Sequence, residues 1–407
     1  MNCRHCNTPL RHTFLDLGFA PPSNSYLSDA DLKKPEVTLP LKLCVCENCW
    51  LVQTEDYAKA DSLFTADYAY FSSTSSGWLA HSAAYCRAMT SRFNLNATSL
   101  VVEVASNDGY LLKNFVAAGI PCLGIEPTAG TAAAAREVGV PTLERFFGVQ
   151  TAEQLVADGK QADLLLGNNV YAHVPDINDF TRGLSTLLKP EGVVTLEFPH
   201  LLEMIRYAQF DTAYHEHYSY LSLLSVQRIF EATGLRIWDV EQLATHGGSL
   251  RVYGCRTASK YQRTAAVDAL LVMEHQAQLN SLSPYSGFQA RADQVKNDAV
   301  EFLIEQKRAG KTVVGYGAAA KGNTLLNYGG VKPDLLPTIV DAARSKQGKF
   351  MPGSHIPIVS PDRLAKLKPD FVLILPWNIA SEVTTQCAFI REWGGKFVVA
   401  VPELTIL

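Results

Sequence analysis

The chain of 407 residues has no long apolar run. LLLG at 164–167 and FVLILPW at 371–377 fall far short of the ~20 residues that a membrane-spanning helix needs. MNCRHCNTPL has no apolar h-region, which reads against a secretory signal. A soluble, cytoplasmic protein without a membrane partner is expected. Net charge of one sign is also small: 36 basic against 40 acidic side chains leave −4. No global basic field draws the protein to nucleic acid or anionic lipid. Cysteine is scarce at nine residues, yet five of these fall within the first 49. In a cytoplasmic protein such clustered thiols suggest metal ligands or catalysts before disulfides.

What is present is ordinary globular composition, 47% hydrophobic and 19% charged. The length suggests about two to three domains. From 98 to 258, short apolar runs alternate with helix-like stretches: VVEVAS (101–106), CLGIEP (122–127), DLLLGNN (163–169) and VVTLEFP (193–199). This rhythm predicts an α/β fold with a parallel sheet covered on both faces. LRIWDVEQL (235–243) and SLRVYGC (249–255) suit an antiparallel edge of that sheet. Residues 259–308 suggest connecting helices, and a second α/β rhythm fills 309–407, with strands expected in TVVGYGAAA, LLPTIVDAA, FVLILPWN and KFVVAVPE. Residues 1–60 form a cysteine-rich module and 61–97 a helical, polar-aromatic connector.

Cys3-x-x-Cys6 and Cys46-x-x-Cys49 are two knuckles, and four thiolates complete a closed tetrahedral zinc site. The 39-residue gap between them demands a loop-containing module. Cys44 is an extra thiol that could replace a ligand. Disulfides, unligated thiols and a redox CxxC are the alternatives. A nucleic-acid-binding ribbon lacks the Lys/Arg run it would need.

VVEVASNDGYLLKNF (101–115) has the pattern strand, tight polar turn, helix start. Asn107, Asp108 and Gly109 suit the turn. Glu126, followed by Pro127, ends the next strand, where an acid can accept from ribose hydroxyls. NAD and S-adenosylmethionine fit this geometry equally. Ala105 and Asn107 occupy the first two glycine positions of GxGxxG, and that absence favours S-adenosylmethionine, which has no pyrophosphate to approach. Glu103, Asn168 and Asn169 complete the cofactor candidates.

Nine motifs in order carry a resemblance: CRHC (3–6) with CENCWLVQ (46–53), DYAYFSSTSSGW (67–78), EVASNDGYLL (103–112), NNVYAHVPDI (168–177), YHEHYSY (214–220), HGGSLRVY (246–253), GYGAAAKGNTLLN (315–327), KQGKFMPGSHIPI (346–358) and LPWN (375–378). With these the chain resembles the S-adenosylmethionine-dependent C-methyltransferases of nucleotide-linked 4-keto deoxysugars. The resemblance spans nearly the whole chain. It implies a small N-terminal module with structural zinc, a central Rossmann-like methyltransferase domain and a second, C-terminal Rossmann-like α/β domain that holds the sugar nucleotide. It also implies methyl transfer to C3 of a dTDP-linked sugar through an enolate, by a monomer or weak homodimer.

Such chemistry needs a base beside the sugar, donors at the developing oxyanion and alignment of carbon with methyl. His217 is the first candidate for the base, with Glu216 beside it and Tyr214 as a hydroxyl donor; the resemblance points to these positions and to His173. In a flat strand Glu216 and His217 would face opposite sides, so joint action requires a turn. A metal-binding His215-x-His217 pair, a buried polar cluster and, for His173, loop packing are the plainer readings. Tyr68 and Tyr70 could close over the sugar, or pack the N-terminal module. His246 flanks two glycines that permit close backbone approach, as a plain hairpin turn also would.

In the C-terminal loop, Gly315, Gly317 and Lys321 make a helix-terminal anion site, with Asp341 at the next strand end. Spacing alone admits dinucleotide binding by residues 315–322, hence a second reading as an NAD(P)-dependent oxidoreductase, although Ala320 takes the third glycine position. A zinc-ribbon binding module without catalysis is a third. The resemblance assigns Lys321 to the sugar nucleotide's diphosphate or sugar, with Asn323, Thr324, Arg344, Lys346, Lys349, Trp377 and Asn378 as lesser candidates beside it. For the basic residues a solvated turn serves equally.

Overall fold

The computed structural model describes residues 1–55 and 72–407. Three sheets organise them. The first is antiparallel and built from β1 (His12–Ala20), β2 (Leu39–Val45), β3 (Val52–Thr54) and β9 (Ser219–Tyr220), in that order. Its fourth strand comes from the middle of the chain: Val52 pairs with Tyr220 and Gln53 with Ser219. The N-terminal sheet is therefore completed by the segment that directly follows YHEHY.

The central sheet has seven strands. β4 (Val101–Val104), β5 (Cys122–Ile125), β6 (Thr142–Leu143), β7 (Ala162–Asn168) and β8 (Leu188–Pro199) are parallel. β10 (Leu235–Leu243) and β11 (Ser249–Arg256) add the expected antiparallel edge, giving the order β10-β11-β8-β7-β4-β5-β6. Strands such as VVEV and ADLLLGN are almost continuously buried, as a sheet covered on both faces requires. The order reverses between β4 and β7, so the loops after them part and open a crevice at their carboxyl ends.

The third sheet repeats this arrangement. It runs β14-β13-β12-β15-β16-β17 and comprises β12 (Val313–Tyr316), β13 (Ile339–Val340), β14 (Ile358–Val359), β15 (Phe371–Ile374), β16 (Lys396–Val399) and the antiparallel β17 (Thr405–Ile406). Its reversal lies between β12 and β15, so the loops carrying Lys321 and Trp377 stand at a second crevice. Within LLPTIVDAA only Ile339 and Val340 pair. Pro337 has no N–H for a ladder, and beyond Val340 the chain bends where the Asp341 carboxylate takes the Ala343 amide at 2.7 Å.

Helices cover the sheets. One of them, Ser76–Phe93, is capped at its start by Ser75, whose side chain accepts from the Trp78 amide, and ends on left-handed Asn94. The expected connecting helices span Ala265–Gln276, Ser283–Ser286 and Phe288–Arg308. The last packs Phe288 on Phe14 of β1, ring centroids 4.5 Å apart, so the N-terminal and C-terminal sheets share one apolar core. Among the described residues no helix is long and apolar enough to cross a membrane.

Candidate active site

The sulfur atoms of Cys3, Cys6, Cys46 and Cys49 lie within 4.8 Å of one another, with Cys3–Cys49 and Cys6–Cys46 each at 3.5 Å. A tetrahedron of ~2.3 Å zinc–sulfur bonds has S···S edges of about 3.8 Å, so the four thiols fit one zinc ion with no ligand position left over. Gln53 donates to the Cys3 sulfur at 3.2 Å and accepts from the Arg4 amide at 2.8 Å, orienting the ligand from behind. Hydrogen bonds from Cys46 and then Cys49 hold the Cys3 thiol far below its ordinary range, at about 3. Cys44 stands outside this group and faces Glu55 at 3.8 Å. Cys86, Cys122, Cys255 and Cys387 are buried free thiols.

At the central crevice, Ala105 and Asn107 both have positive φ, 54° and 50°, where glycine would be unstrained. Glu126 explains how Asn107 is held: its carboxylate accepts from the Asn107 amide at 2.9 Å and from the Thr128 amide at 2.9 Å. Asp108 accepts from the Ser73 amide at 3.1 Å and Asn107 from the Ser72 amide at 2.9 Å. Glu103 is buried beneath, and burial drives its carboxyl well above the usual range. Pro127 is half-buried at the end of the same loop. Around this point Ser106 Oγ, Asp108 Oδ1, both amide atoms of Asn168 and Asn169 Oδ1 are buried without a partner among the described residues. Such orphaned polar atoms at a sheet's reversal point suit a polar ligand.

YHEHY is a turn, as joint action of Glu216 and His217 requires. The His217 Nδ1–H donates to the Thr212 carbonyl at 3.0 Å, which leaves the lone pair of the neutral ring on Nε2. That nitrogen accepts from the Tyr214 hydroxyl at 2.7 Å. His173 packs edge-on to His217 with centroids 4.6 Å apart. Burial, followed by repulsion between the His217 and His173 imidazolium forms, pushes His217 well below its ordinary value, with Lys321 and His246 adding to the shift and the Thr212 carbonyl opposing it. Burial likewise lowers His173 to about 4. His215 instead contacts the carbonyls of Leu39 and Pro40, at 3.3 and 3.2 Å, so the two flanking histidines do not form a metal pair.

The second crevice meets the first at the β10–β11 turn. His246 has φ 56°, and its Nε2 accepts from the Asn169 side chain at 2.8 Å. A Cβ on Gly247 would overlap the Trp377 ring, so glycine is required there for close approach. Lys321 Nζ donates to Asn378 Oδ1 at 3.0 Å, reaches the His246 carbonyl at 3.5 Å and lies 4.3 Å above the Trp377 ring. Burial lowers Lys321 to about 8, although Asp211 opposes the shift. Asp211 accepts from Trp377 Nε1 at 2.7 Å and is raised to about 6 by burial. Asn323 is fully buried with both amide atoms unpartnered among the described residues.

Some expected substrate residues do other work. Thr324 donates to the Ala213 carbonyl at 2.7 Å, tying its helix to the YHEHY turn. Lys346 donates to the Ala318 carbonyl at 2.8 Å and stands 3.8 Å from Asp341. Arg344 is exposed, and no side-chain hydrogen bond or ion pair among the described residues joins it or Lys349 to the crevice. Asp341 folds back to the Ala318 amide at 2.7 Å, as Glu126 does to Asn107. Tyr68 and Tyr70 lie outside the described residues.

Three residues of the site escaped the sequence reading. Asn24 and Tyr26 lie in the excursion between β1 and β2. Asn24 donates to both oxygens of Glu216, and Tyr26 donates to the Ala318 carbonyl at 2.6 Å. APPSNS signals only a turn, so nothing local marks them. Asp211 is the third; its place three residues before Tyr214 was the only clue.

Residues 3–64 match a model described as a zinc binding domain, 78–240 a methyltransferase domain and 244–402 a C-methyltransferase C-terminal domain. The C-methyltransferase NovU of Streptomyces niveus is 34% identical over 405 residues, covering 100% of this chain and 96% of that one. Among solved structures, magnesium protoporphyrin IX methyltransferase of Synechocystis with bound SAM aligns over 44% of this chain and 80% of its own, at 16% identity and TM-score 0.35. A protein of Pyrococcus horikoshii aligns over 46% and 95%, at 13% and 0.38. None of these matches supports the oxidoreductase reading of residues 315–322.

Proposed function

The chain belongs to the C-methyltransferase family, and from that premise we propose that it moves a methyl group from S-adenosylmethionine to C3 of a dTDP-linked 4-keto-6-deoxy or 2,6-dideoxy sugar, through an enolate. The observation that carries this reading is the convergence of a neutral His217, its Tyr214 partner and the half-buried Lys321 between two sheet-reversal crevices. One crevice suits a methyl donor and the other a sugar nucleotide.

S-adenosylmethionine, when bound, supplies an electrophilic methyl on sulfonium. Asp108, Asn168 and Asn169 would hold it with their open acceptors and donors at the end of the central sheet, and Glu126, whose oxygens take the Asn107 and Thr128 amides, would face it from the next strand end. The ketone acidifies the neighbouring C–H, and His217 Nε2 is the atom to take that proton. Its depressed pKa keeps it unprotonated at neutral pH. Tyr214 holds the ring from Nε2 and can relay the proton, while the Thr212 carbonyl fixes the tautomer. His173, half-buried and with its pKa lowered to about 4 by desolvation, packs edge-on against the His217 ring. Zinc serves structure alone, since four thiolates leave it no open position.

Mass spectrometry of products from a panel of nucleotide-linked 4-keto sugars tests the substrate class. A methylated product with wild type, and its loss in His217→Ala with methyl-donor binding retained, is expected. Unchanged turnover in that variant removes His217 as the base.

A further inference from the structure

We propose that Lys321 is the cationic donor to the substrate's C4 oxygen, stabilising the enolate, and that it does not bind the diphosphate. The inference rests on the keto-sugar reading and deepens it. Lys321 is the second residue of the helix Ala320–Tyr328, and its side chain crosses toward the central unit instead of following the loop outward. Its side chain meets the Asn378 amide oxygen, the His246 carbonyl and the face of Trp377. Among the described residues no carboxylate lies within 4 Å of its ammonium. Of three N–H donors, one is spent well and one at 3.5 Å, so donor capacity remains for a ligand oxygen.

Position decides the role. Lys321 Nζ stands 3.5 Å from the carbonyl of His246, whose ring takes the Asn169 amide, and Thr324 of the same helix is bonded to the Ala213 carbonyl at the start of the turn that carries Tyr214 and His217. Removing the proton from C3 and receiving charge on O4 occur on adjacent carbons, so base and cation must flank one short stretch of sugar ring. The diphosphate hangs from C1, away from that stretch, and its two charges suit solvent-facing cations. Trp377 and the half-buried Asn378 flank the ammonium on the protein side, where a fixed donor to a developing oxyanion acts at short range.

The step balances without a redox partner. The C3–H bond breaks and its proton passes to His217 Nε2. The C–H electron pair forms the C3=C4 double bond, and the carbonyl π pair moves onto O4, where the ammonium donates. Without a methyl donor, His217 exchanges its proton with solvent and returns a solvent-derived one to C3, so deuterium washes in from D2O.

The test uses the full-length, zinc-loaded protein with a dTDP-linked 4-keto-6-deoxy sugar in D2O. Wash-in at C3 without methyl donor, turnover with it, and affinities for both ligands are measured in wild type, Lys321→Met and Lys321→Arg. At saturating sugar nucleotide, Lys321→Met is expected to lose about 10²–10³-fold in wash-in and turnover. Its affinity for the sugar nucleotide stays within a few-fold, and Lys321→Arg recovers part of the rate. Retained S-adenosylmethionine binding shows that each variant is folded. Unchanged saturated wash-in together with a large loss of sugar-nucleotide affinity would place Lys321 at the diphosphate and overturn the proposal. A wild type that neither exchanges nor methylates any 4-keto sugar sinks the substrate reading itself, a separate outcome.

Discussion

The Asn24 side-chain amide donates to both carboxylate oxygens of Glu216, at 2.7 and 2.9 Å, across 192 residues of sequence. The excursion that carries Asn24 also bridges to the C-terminal unit. Leu27 and Phe350 exchange backbone hydrogen bonds, and Glu36 accepts from His355 and the Gly353 amide. One loop of the cysteine-bearing module thus fixes a carboxylate beside the base and clasps the opposite wall.

Asn24→Asp should therefore replace a donor pair with a like charge against Glu216. Hydrogen bonds to charged groups are each worth about 1.5–3 kcal/mol, so turnover is expected to fall roughly 10–100-fold. Asn24→Ala should lose less, because it adds no repulsion. Steady-state kinetics beside a metal assay checks this; normal zinc content with normal turnover would show that Glu216 needs no such anchor.

The pH profile should be asymmetric. His217 lies well below its ordinary value, so turnover stays flat on the acid side down to pH values well under 6.5. Lys321 is lowered to about 8, so its ammonium is lost, and activity with it, as pH rises through about 8. The charge on Asp211 opposes that lowering. Asp211→Asn should therefore move the alkaline limb to lower pH. An unmoved limb in this variant would disconnect the pair.

Removal of zinc should cost activity although the metal takes no part in the reaction. Cys49 precedes the start of β3 by three residues, β3 pairs with β9, and β9 begins two residues after His217. The Thr54 amide also donates to the Tyr218 carbonyl at 3.1 Å. Cys46→Ser or a strong chelator is expected to release zinc, lower the melting temperature and speed hydrogen exchange over 217–221. Zinc loss with unaltered exchange there would uncouple the module from the turn.

Glu274 should be a stability residue. It is fully buried, accepts from the Leu223 and Leu224 amides at 2.6 and 2.8 Å, and meets His200 Nε2 at 2.8 Å. It caps the helix Leu223–Glu231 from a different helix. Glu274→Ala leaves these buried groups without an acceptor and should destabilise by about 3–5 kcal/mol. Denaturant unfolding measures the loss, and Glu274→Gln should retain part of the stability.

Much of the fold was legible because local pattern and burial agree. The apolar runs at 101, 122, 163 and 193 are sheet strands, and the hairpin after Leu235 is the antiparallel edge. The two CxxC pairs converge as their spacing implied. LLPTIVDAA forms a shorter strand than its apolar run predicts, since Pro337 and Asp341 cut the ladder to two residues. Among the basic candidates, Lys346 has a sequence like a phosphate contact, yet it braces the Ala318 carbonyl.

The sequence by itself determined the chemistry available: four thiols in two knuckles, two strand-loop-helix units each with an acid on the following strand, and a tyrosine–histidine turn. These depend on neighbours within a few residues, where residue type and spacing dictate geometry. Only the tertiary structure decided the partnerships. Asn24 with Glu216, Lys321 with the His246 carbonyl, Asp211 with Trp377 and β3 with β9 each join segments far apart in the chain. Burial then set protonation, because desolvation depends on what the whole chain places around a group. Thus His217 is neutral and Lys321 is brought near 8 by packing that no local pattern encodes.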